Sequence, residues 1–345
     1  MFETLLTLCL AGAPEVCREA LIPGPVHAAE SVCVAALDEA RAPSAPGLVP
    51  RGPPFCAEGA PGLAVRQIAP GVYVHRGEIA EPDAANRGDV ANLGFVVGAR
   101  SIAVIDSGTT AAVGEDLWRA LREVSDLPVS HLILTHIHPD HALGAAVFAD
   151  AGAEILGHAR HDRAMADRVE NYLQSLRNTL GPGALIGTRA VGLSRAIDGA
   201  DEIDLGGRVL ALRAWPPSHT GTDLTVLDRQ TGTLFAGDLV FDGHTPALDG
   251  SLRGWLAVME ELMAEGFARV VPGHGGPVLD WPDGGTAQFR YLERLAGDTR
   301  AAIAEGQRIG EAVETIGQSE ARHWALFDAY NTRNATVAFT ELEWE

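Results

Sequence analysis

Thr135-His136-Ile137-His138-Pro139-Asp140-His141 ends a β-type run, His131-Leu132-Ile133-Leu134-Thr135, and packs three histidines into six residues. Residues at i and i+2 of an extended chain point to the same side, so His136 and His138 can reach one ion. Pro139 turns the chain, and Asp140 and His141 then face a second position beside the first. Ligands fixed at a strand end are held stiffly, as a metal site requires. Unrelated surface histidines are the bland reading, and this spacing at a strand-to-helix junction speaks against it.

Three single residues downstream repeat the context of β-run, small residue, ligand and turn. They are His219 in Pro217-Ser218-His219-Thr220-Gly221, Asp238 in Phe235-Ala236-Gly237-Asp238-Leu239, and His274 in Val271-Pro272-Gly273-His274-Gly275. Taken singly they read as a turn histidine, a helix-capping aspartate and a loop histidine. Taken with the first cluster they complete a donor set of imidazoles and carboxylates without thiolate. That set suits zinc, and also iron or manganese.

The surrounding texture is α/β. Short β-type runs (Val72–His75, Asn92–Val97, Ile102–Ile105) alternate with helical patterns (Glu115–Val124, Leu143–Asp150, His161–Leu180). A second round follows, with strands near 208–214, 223–228, 233–235 and 269–271, a helix over 252–265, and helices from Thr286 onward. Two rounds of strands then helices predict a four-layer αββα sandwich, two sheets face to face with helices outside. The expected division is a small N-terminal module over 1–62, a catalytic domain over 63–285, and a helical extension over 286–345 packed on it. In that extension Trp324, Phe327, Tyr330 and Phe339 read as core anchors or a homodimer surface.

The N-terminal module has an apolar strand-like start (Leu5–Leu10) and a helical stretch near Ser31–Arg41. A Pro/Gly-rich exit follows, Ala42-Pro43-Ser44-Ala45-Pro46-Gly47 and then Arg51-Gly52-Pro53-Pro54, a composition that breaks regular structure. All four cysteines lie here, as Cys9, Cys17, Cys33 and Cys56, and none forms a Cys-x-x-Cys pair. An even set confined to a thin-cored segment predicts two disulfides and an oxidising compartment, with three pairings open. The first residues carry Glu3 and no Lys or Arg before Arg18, which makes a poor signal peptide.

Net charge is −20, from 26 Lys+Arg against 46 Asp+Glu. A nucleic-acid partner needs a basic surface, and anionic membranes attract basic segments, so the balance argues against both. No apolar stretch reaches the roughly 20 residues of a membrane span.

His136-x-His138-x-Asp140-His141 followed by His219, Gly237-Asp238 and Gly273-His274 resembles the metallo-β-lactamase superfamily over roughly residues 65 to 285. Val104-Ile105-Asp106-Ser107-Gly108 resembles that superfamily's early Asp motif, where the Asp supports the histidine loop; that role falls to Asp106. The resemblance implies two zinc ions. His136, His138 and His219 would hold the first, and Asp140, His141 and His274 the second, with Asp238 bridging. It also implies a hydroxide between the ions that attacks a small ester, lactone, thioester or lactam, oriented by Asp140.

The segments Glu81-Pro82-Asp83, Asn86-Arg87-Gly88-Asp89, Leu248 to Leu256, Trp324 to Asn331 and the Trp344-Glu345 end resemble a narrower group. These are the type 2 quinoprotein relay system zinc metallohydrolases, related to metallohydrolases of sulfur-oxidation clusters. That resemblance implies a periplasmic protein linked to a pyrroloquinoline quinone-dependent dehydrogenase; a cytoplasmic protein is the alternative. His244 follows the bridging Asp closely enough to border the pocket, as a candidate substrate contact or a loop histidine. Arg87 and Asp89 lie where this fold places a flap, and read equally as turn residues. His158 and His161 flank a helix start and read as structural. Two other functions compete with the hydrolase. One is a mononuclear iron enzyme of the same fold that oxidises sulfur. The other is an accessory protein that binds a quinoprotein through its N-terminal module.

Overall fold

The computed structural model describes residues 1–40 and 47–345. The run Ala42 to Pro46 of the expected proline-rich exit, and the end of the expected helix at Arg41, lie outside the described residues.

The chain opens with β1 (Phe2–Leu10), β2 (Ala13–Leu21), helix α1 (Glu30–Ala36), β3 (Leu48–Pro50) and β4 (Phe55–Glu58). Strand β1 is central: β2 pairs along one edge, and β3 and β4 share the other. Cys9 and Cys17 face each other across the β1–β2 hairpin and form one disulfide. Cys33 of α1 joins Cys56 of β4 in the second. The expected strand over Leu5–Leu10 starts earlier, at Phe2. Its partner β2 has no clean alternation, and only its pairing to β1 makes it a strand.

This small sheet is docked rather than free-standing. Leu5 and Leu21 share one core with Leu117, Trp118 and Leu121 of helix α2 (Ala111–Val124). Arg119 grips Glu3 and Arg18 grips Glu115, each pair at 2.7–2.8 Å and nearly buried. The Trp118 indole donates to Gly24 O at 3.3 Å.

Seven strands form the next sheet: β5 (Val65–Ala69), β6 (Val72–His75), β7 (Leu93–Val97), β8 (Ile102–Ile105), β9 (Val129–Ile133), β10 (Glu154–His158) and β11 (Arg195–Ile197). Their order is β11-β10-β9-β8-β7-β6-β5. Strand β8 shows why its sequence is apolar throughout. Ile102 and Val104 face the outer helices, while Ala103 and Ile105 face the second sheet; successive side chains of a strand point to opposite faces, and here both are covered. Helices α3 (Pro139–Ala142), α4 (Ala146–Asp150) and α5 (His161–Leu180) follow β9 and β10.

The second sheet runs β12 (Ala200–Asp204), β13 (Val209–Ala214), β14 (Leu224–Asp228), β15 (Thr233–Phe241) and β16 (Arg269–His274), in that spatial order. Between the sheets, Val72, Val74 and Ile133 pack on Leu210, Val226 and Phe235. Helices α6 (Leu252–Ala264), α7 (Thr286–Ala304), α8 (Ile309–Ala312) and α9 (Phe327–Leu342) lie over the other face, with Trp255, Tyr291, Leu295 and Phe339 in its core. The result is the expected four-layer αββα sandwich, with a disulfide-linked sheet at its N-terminal end. Among the described residues, no helix is long and apolar enough to cross a membrane.

Candidate metal centre

The seven side chains singled out in the sequence meet at the ends of the two inner sheets. His136 and His138 lie just beyond β9, their rings 4.8 Å apart. Pro139 opens α3 at its first position, where a missing N–H costs nothing. That turn carries Asp140 and His141 back toward the same point. His219 sits in the β13–β14 loop and His274 ends β16. Asp238 departs from its expected place at a strand end. It lies inside the nine-residue strand β15, where pairing to β16 is broken on both sides of Gly237. Gly273 makes the approach possible, since a Cβ there would sit 1.8 Å from Asp238 Oδ1.

Each imidazole is held from outside by one acceptor and turns its other nitrogen inward. His141 Nδ1 donates to Asp106 Oδ2 at 2.8 Å, and His274 Nδ1 to Val90 O at 2.9 Å. His219 Nδ1 donates to Ala247 O at 2.5 Å. The Thr135 hydroxyl donates to Asp106 Oδ2 and accepts from His136 Nδ1 at 3.0 Å. His138 alone is turned the other way: its Nε2 donates to Asp249 Oδ2 at 3.1 Å, leaving Nδ1 inward. Such outer partners fix the tautomer and raise the basicity of a ligand.

The inner atoms converge. His219 Nε2 lies 3.0 Å from His138 Nδ1 and 3.3 Å from Asp238 Oδ2. Asp238 Oδ1 is 3.1 Å from His141 Nε2, and Oδ2 is 3.4 Å from His274 Nε2. Asp140 Oδ2 is 3.3 Å from His274 Nε2. One group of donors, from His136, His138, His219 and Asp238, lies within 4.8 Å, as does a second, from Asp140, His141 and His274. Asp238 reaches members of both.

With their outer N–H groups engaged, the facing nitrogens of His138 and His219 present lone pairs to each other. His136 Nε2 and Asp238 Oδ1 are buried with no hydrogen-bond partner. Buried polar atoms are nearly always paired, and a cation between these donors would satisfy all of them. The residues therefore fit one or two divalent metals. Burial disfavours charge on Asp140 and Asp238, but the surrounding imidazoles hold both carboxyls well below their usual range. Burial likewise lowers His274, yet Asp238 and Asp140 bring it up to about 9. The same cluster thus supplies the negative charge that cations would neutralise.

Asp106, expected from the resemblance to support the histidine loop, is hydrogen-bonded to that loop. It is 2% exposed, in the left-handed region at φ +59°, and holds both the Thr135 amide and His141. Asp249 was not singled out in the sequence; it orients His138 and also pairs with Arg168 of α5. Its sequence signals are a position just before the Ser251 cap of α6 and a place in the Leu248 to Leu256 segment, neither of which points to a histidine partner.

A cavity of about 440 Å³ opens above the centre. Asp140, Asp238 and His274 line its floor, and Val90, Arg168, Tyr172, His244, Tyr330 and Arg333 its walls. His244 is 3% exposed, with its ring 4.9 Å from those of His274 and Tyr330. Burial, reinforced by His274, pushes its pKa down to about 4, so it is neutral at pH 7. Trp324, Phe327 and Phe339 are core anchors as expected, while Tyr330 belongs to the cavity wall. Arg87 and Asp89 are engaged elsewhere, with Asp116 and His75. His158 and His161 are buried at the start of α5 and outside the cavity lining.

Residues 86–274 match the family model of the metallo-beta-lactamase superfamily. Among solved structures, the chain is similar to a metallo-beta-lactamase from Pontibacter korlensis, at 20% identity and TM-score 0.54, over 67% of this chain and 99% of that one. It is similar to TMB-1 at 18% identity and TM-score 0.53, over 68% and 98%. The stereoselective inverting sec-alkylsulfatase Pisa1 from Pseudomonas sp. matches at 15% identity and TM-score 0.61, over 81% of this chain and 50% of that one. At these identities the likeness is one of fold.

Proposed function

Because the chain belongs to the metallo-beta-lactamase superfamily, we propose that it is a hydrolase of a small ester, lactone, thioester or lactam that works with two divalent metals, zinc by family preference. The observation that carries this is the arrangement of five imidazoles. Each is fixed from outside and turns its other nitrogen into the cluster around Asp238 and Asp140, beneath an open cavity. His136, His138 and His219 would hold one ion, Asp140, His141 and His274 the other, and Asp238 would span them. When bound, the ions supply a Lewis acid and lower the pKa of water to about 7.

The chain's own residues do the rest. Asp140, at the cavity floor, orients the attacking water. Neutral His244 and the Tyr330 hydroxyl, kept protonated by burial, form the wall against which the substrate lies. The apolar faces of Val90, Leu176 and Val337 exclude bulk water from that wall. The matched structures include a lactamase and a sulfatase by name, so the fold alone leaves the electrophile open. The two disulfides fit an oxidising compartment, in keeping with a periplasmic protein serving a pyrroloquinoline quinone dehydrogenase system.

Metal analysis of the purified protein, paired with a screen of lactone, thioester, β-lactam and persulfide substrates, tests the reading. About two zinc ions per chain are expected, with hydrolysis of at least one acyl substrate. His219→Ala should lose metal and activity together. One iron per chain with oxidation of the persulfide would overturn it, as would full activity without metal.

A further inference from the structure

The loop Pro246-Ala247-Leu248-Asp249 touches two of the candidate ligands from outside. Ala247 O receives His219 Nδ1–H, and Asp249 Oδ2 receives His138 Nε2–H. One side of the loop is stitched to the His219 segment. Asp249 N donates to His219 O and Ser251 N to Ser218 O, both at 2.9 Å. Gly250 permits this closeness, since a Cβ there would lie 2.5 Å from Ser218 O.

The other side faces α9, where Glu341 accepts from Ser251 Oγ and Leu252 N just beyond the loop, both at 2.7 Å, and Asn334 grips the loop itself. Asn334 is 2% exposed. Its Oδ1 accepts from Leu248 N at 2.9 Å, and its Nδ2 donates to Pro246 O at 2.6 Å and to the Tyr291 hydroxyl at 2.8 Å. The two loop bonds bracket Ala247 and lie next to Asp249. The remaining outer partners are Thr135 Oγ1 on His136, Asp106 on His141 and Val90 O on His274, and none of them is hydrogen-bonded to α9.

We propose that Asn334 is a positioning residue for half of the metal centre: by fixing Pro246 and Leu248 it sets the acceptors that hold His219 and His138, and leaves the Asp140–His141–His274 half untouched. This rests on the metal reading above. Outer partners of metal ligands are worth about 10–100-fold in affinity. Asn334→Ala should therefore weaken one metal by about that factor and leave the other unchanged.

The test is zinc competition titration against a chromophoric chelator on the full chain, with metal per chain counted after dialysis. Wild type should retain about two ions and Asn334→Ala about one. Tyr291→Phe is the control. It removes the third partner of the same side chain, with a comparable loss of thermal stability, and should keep both metals. If Asn334→Ala does not fold, the isosteric Asn334→Asp keeps the Leu248 bond and loses the one to Pro246. It should show the same selective loss, reduced in size. Unchanged affinity for both ions in the Asn334 variants overturns the inference. An equal loss in Tyr291→Phe also overturns it, because loosening of the core would then suffice. A wild-type chain that binds no divalent metal refutes the underlying reading instead.

Discussion

The N-terminal sheet and the metal centre both join segments distant in sequence, and they do so with different bonds. In the sheet, two disulfides and two nearly buried ion pairs tie four short strands and α1 together and to α2. Its own apolar cluster is small: Leu6, Leu8, Ala20 and Ile22 with Ile186. In the metal centre seven polar side chains meet without a covalent link, each braced by a hydrogen bond or held by the sheets beneath. A thin core calls for cross-links because it buries little apolar surface. A cluster of facing lone pairs and carboxylates calls for cations. The first region should therefore survive chelation and the second should survive reduction.

Breaking the disulfides gives the largest expected effect on that contrast. By loop-closure entropy each is worth about 3 kcal/mol, and the wider Cys33–Cys56 loop about 1 kcal/mol more than Cys9–Cys17. In denaturant titration, the Cys33→Ser/Cys56→Ser variant should be the less stable of the two double variants. Both should keep their metal. Loss of metal from either would join the two regions into one cooperative unit.

Asp106→Asn comes next. Asn tolerates the left-handed backbone found here, so the fold should persist, but a carboxamide is a poorer acceptor for His141 Nδ1–H. A loss of about 10–100-fold in metal affinity is expected by titration, with the N-terminal disulfides still formed. No change in affinity would mean that His141 is held by β9 and α3 alone.

The smallest effect concerns His75 of β6 and Asp89, 2.8 Å apart. Burial lowers the His75 pKa, but Asp89 and Ala64 O raise it above 6.5 overall. A raised folded-state pKa contributes stability that is full below pH 6.5 and lost as pH rises through the folded value. The stability difference between wild type and Asp89→Asn should therefore shrink from pH 6 to pH 9. A difference constant with pH would mean that the pair acts as a neutral hydrogen bond.

The legible parts of the centre were those whose chemistry is local. His136, His138, Asp140 and His141 announce themselves within one turn of chain, and His219, Asp238 and His274 by a β-run followed by a small residue and a turn; Asp106 was legible only through the family resemblance. Asp249 went unread because an aspartate before a helix cap is common. Its meaning comes from His138, a residue 111 positions away. Tyr330 reads as a core anchor or dimer surface of an outer helix, and only the packing of α9 on the Pro246 loop brings it, with Arg333, over the cavity. Strand β2 was missed for a related reason: Ala13–Leu21 lacks alternation, and its register is set by the hairpin and the disulfide partner across it.

By itself the sequence determined the layer order, because apolar period and turn chemistry are short-range properties that each segment carries with it. It also determined the seven candidate ligands and the confinement of the cysteines to one module. Tertiary structure decided which cysteines pair, which nitrogen of each histidine faces inward, and which helices wall the cavity. Those depend on distances between residues far apart in the chain, and the chain encodes them only through how its layers pack.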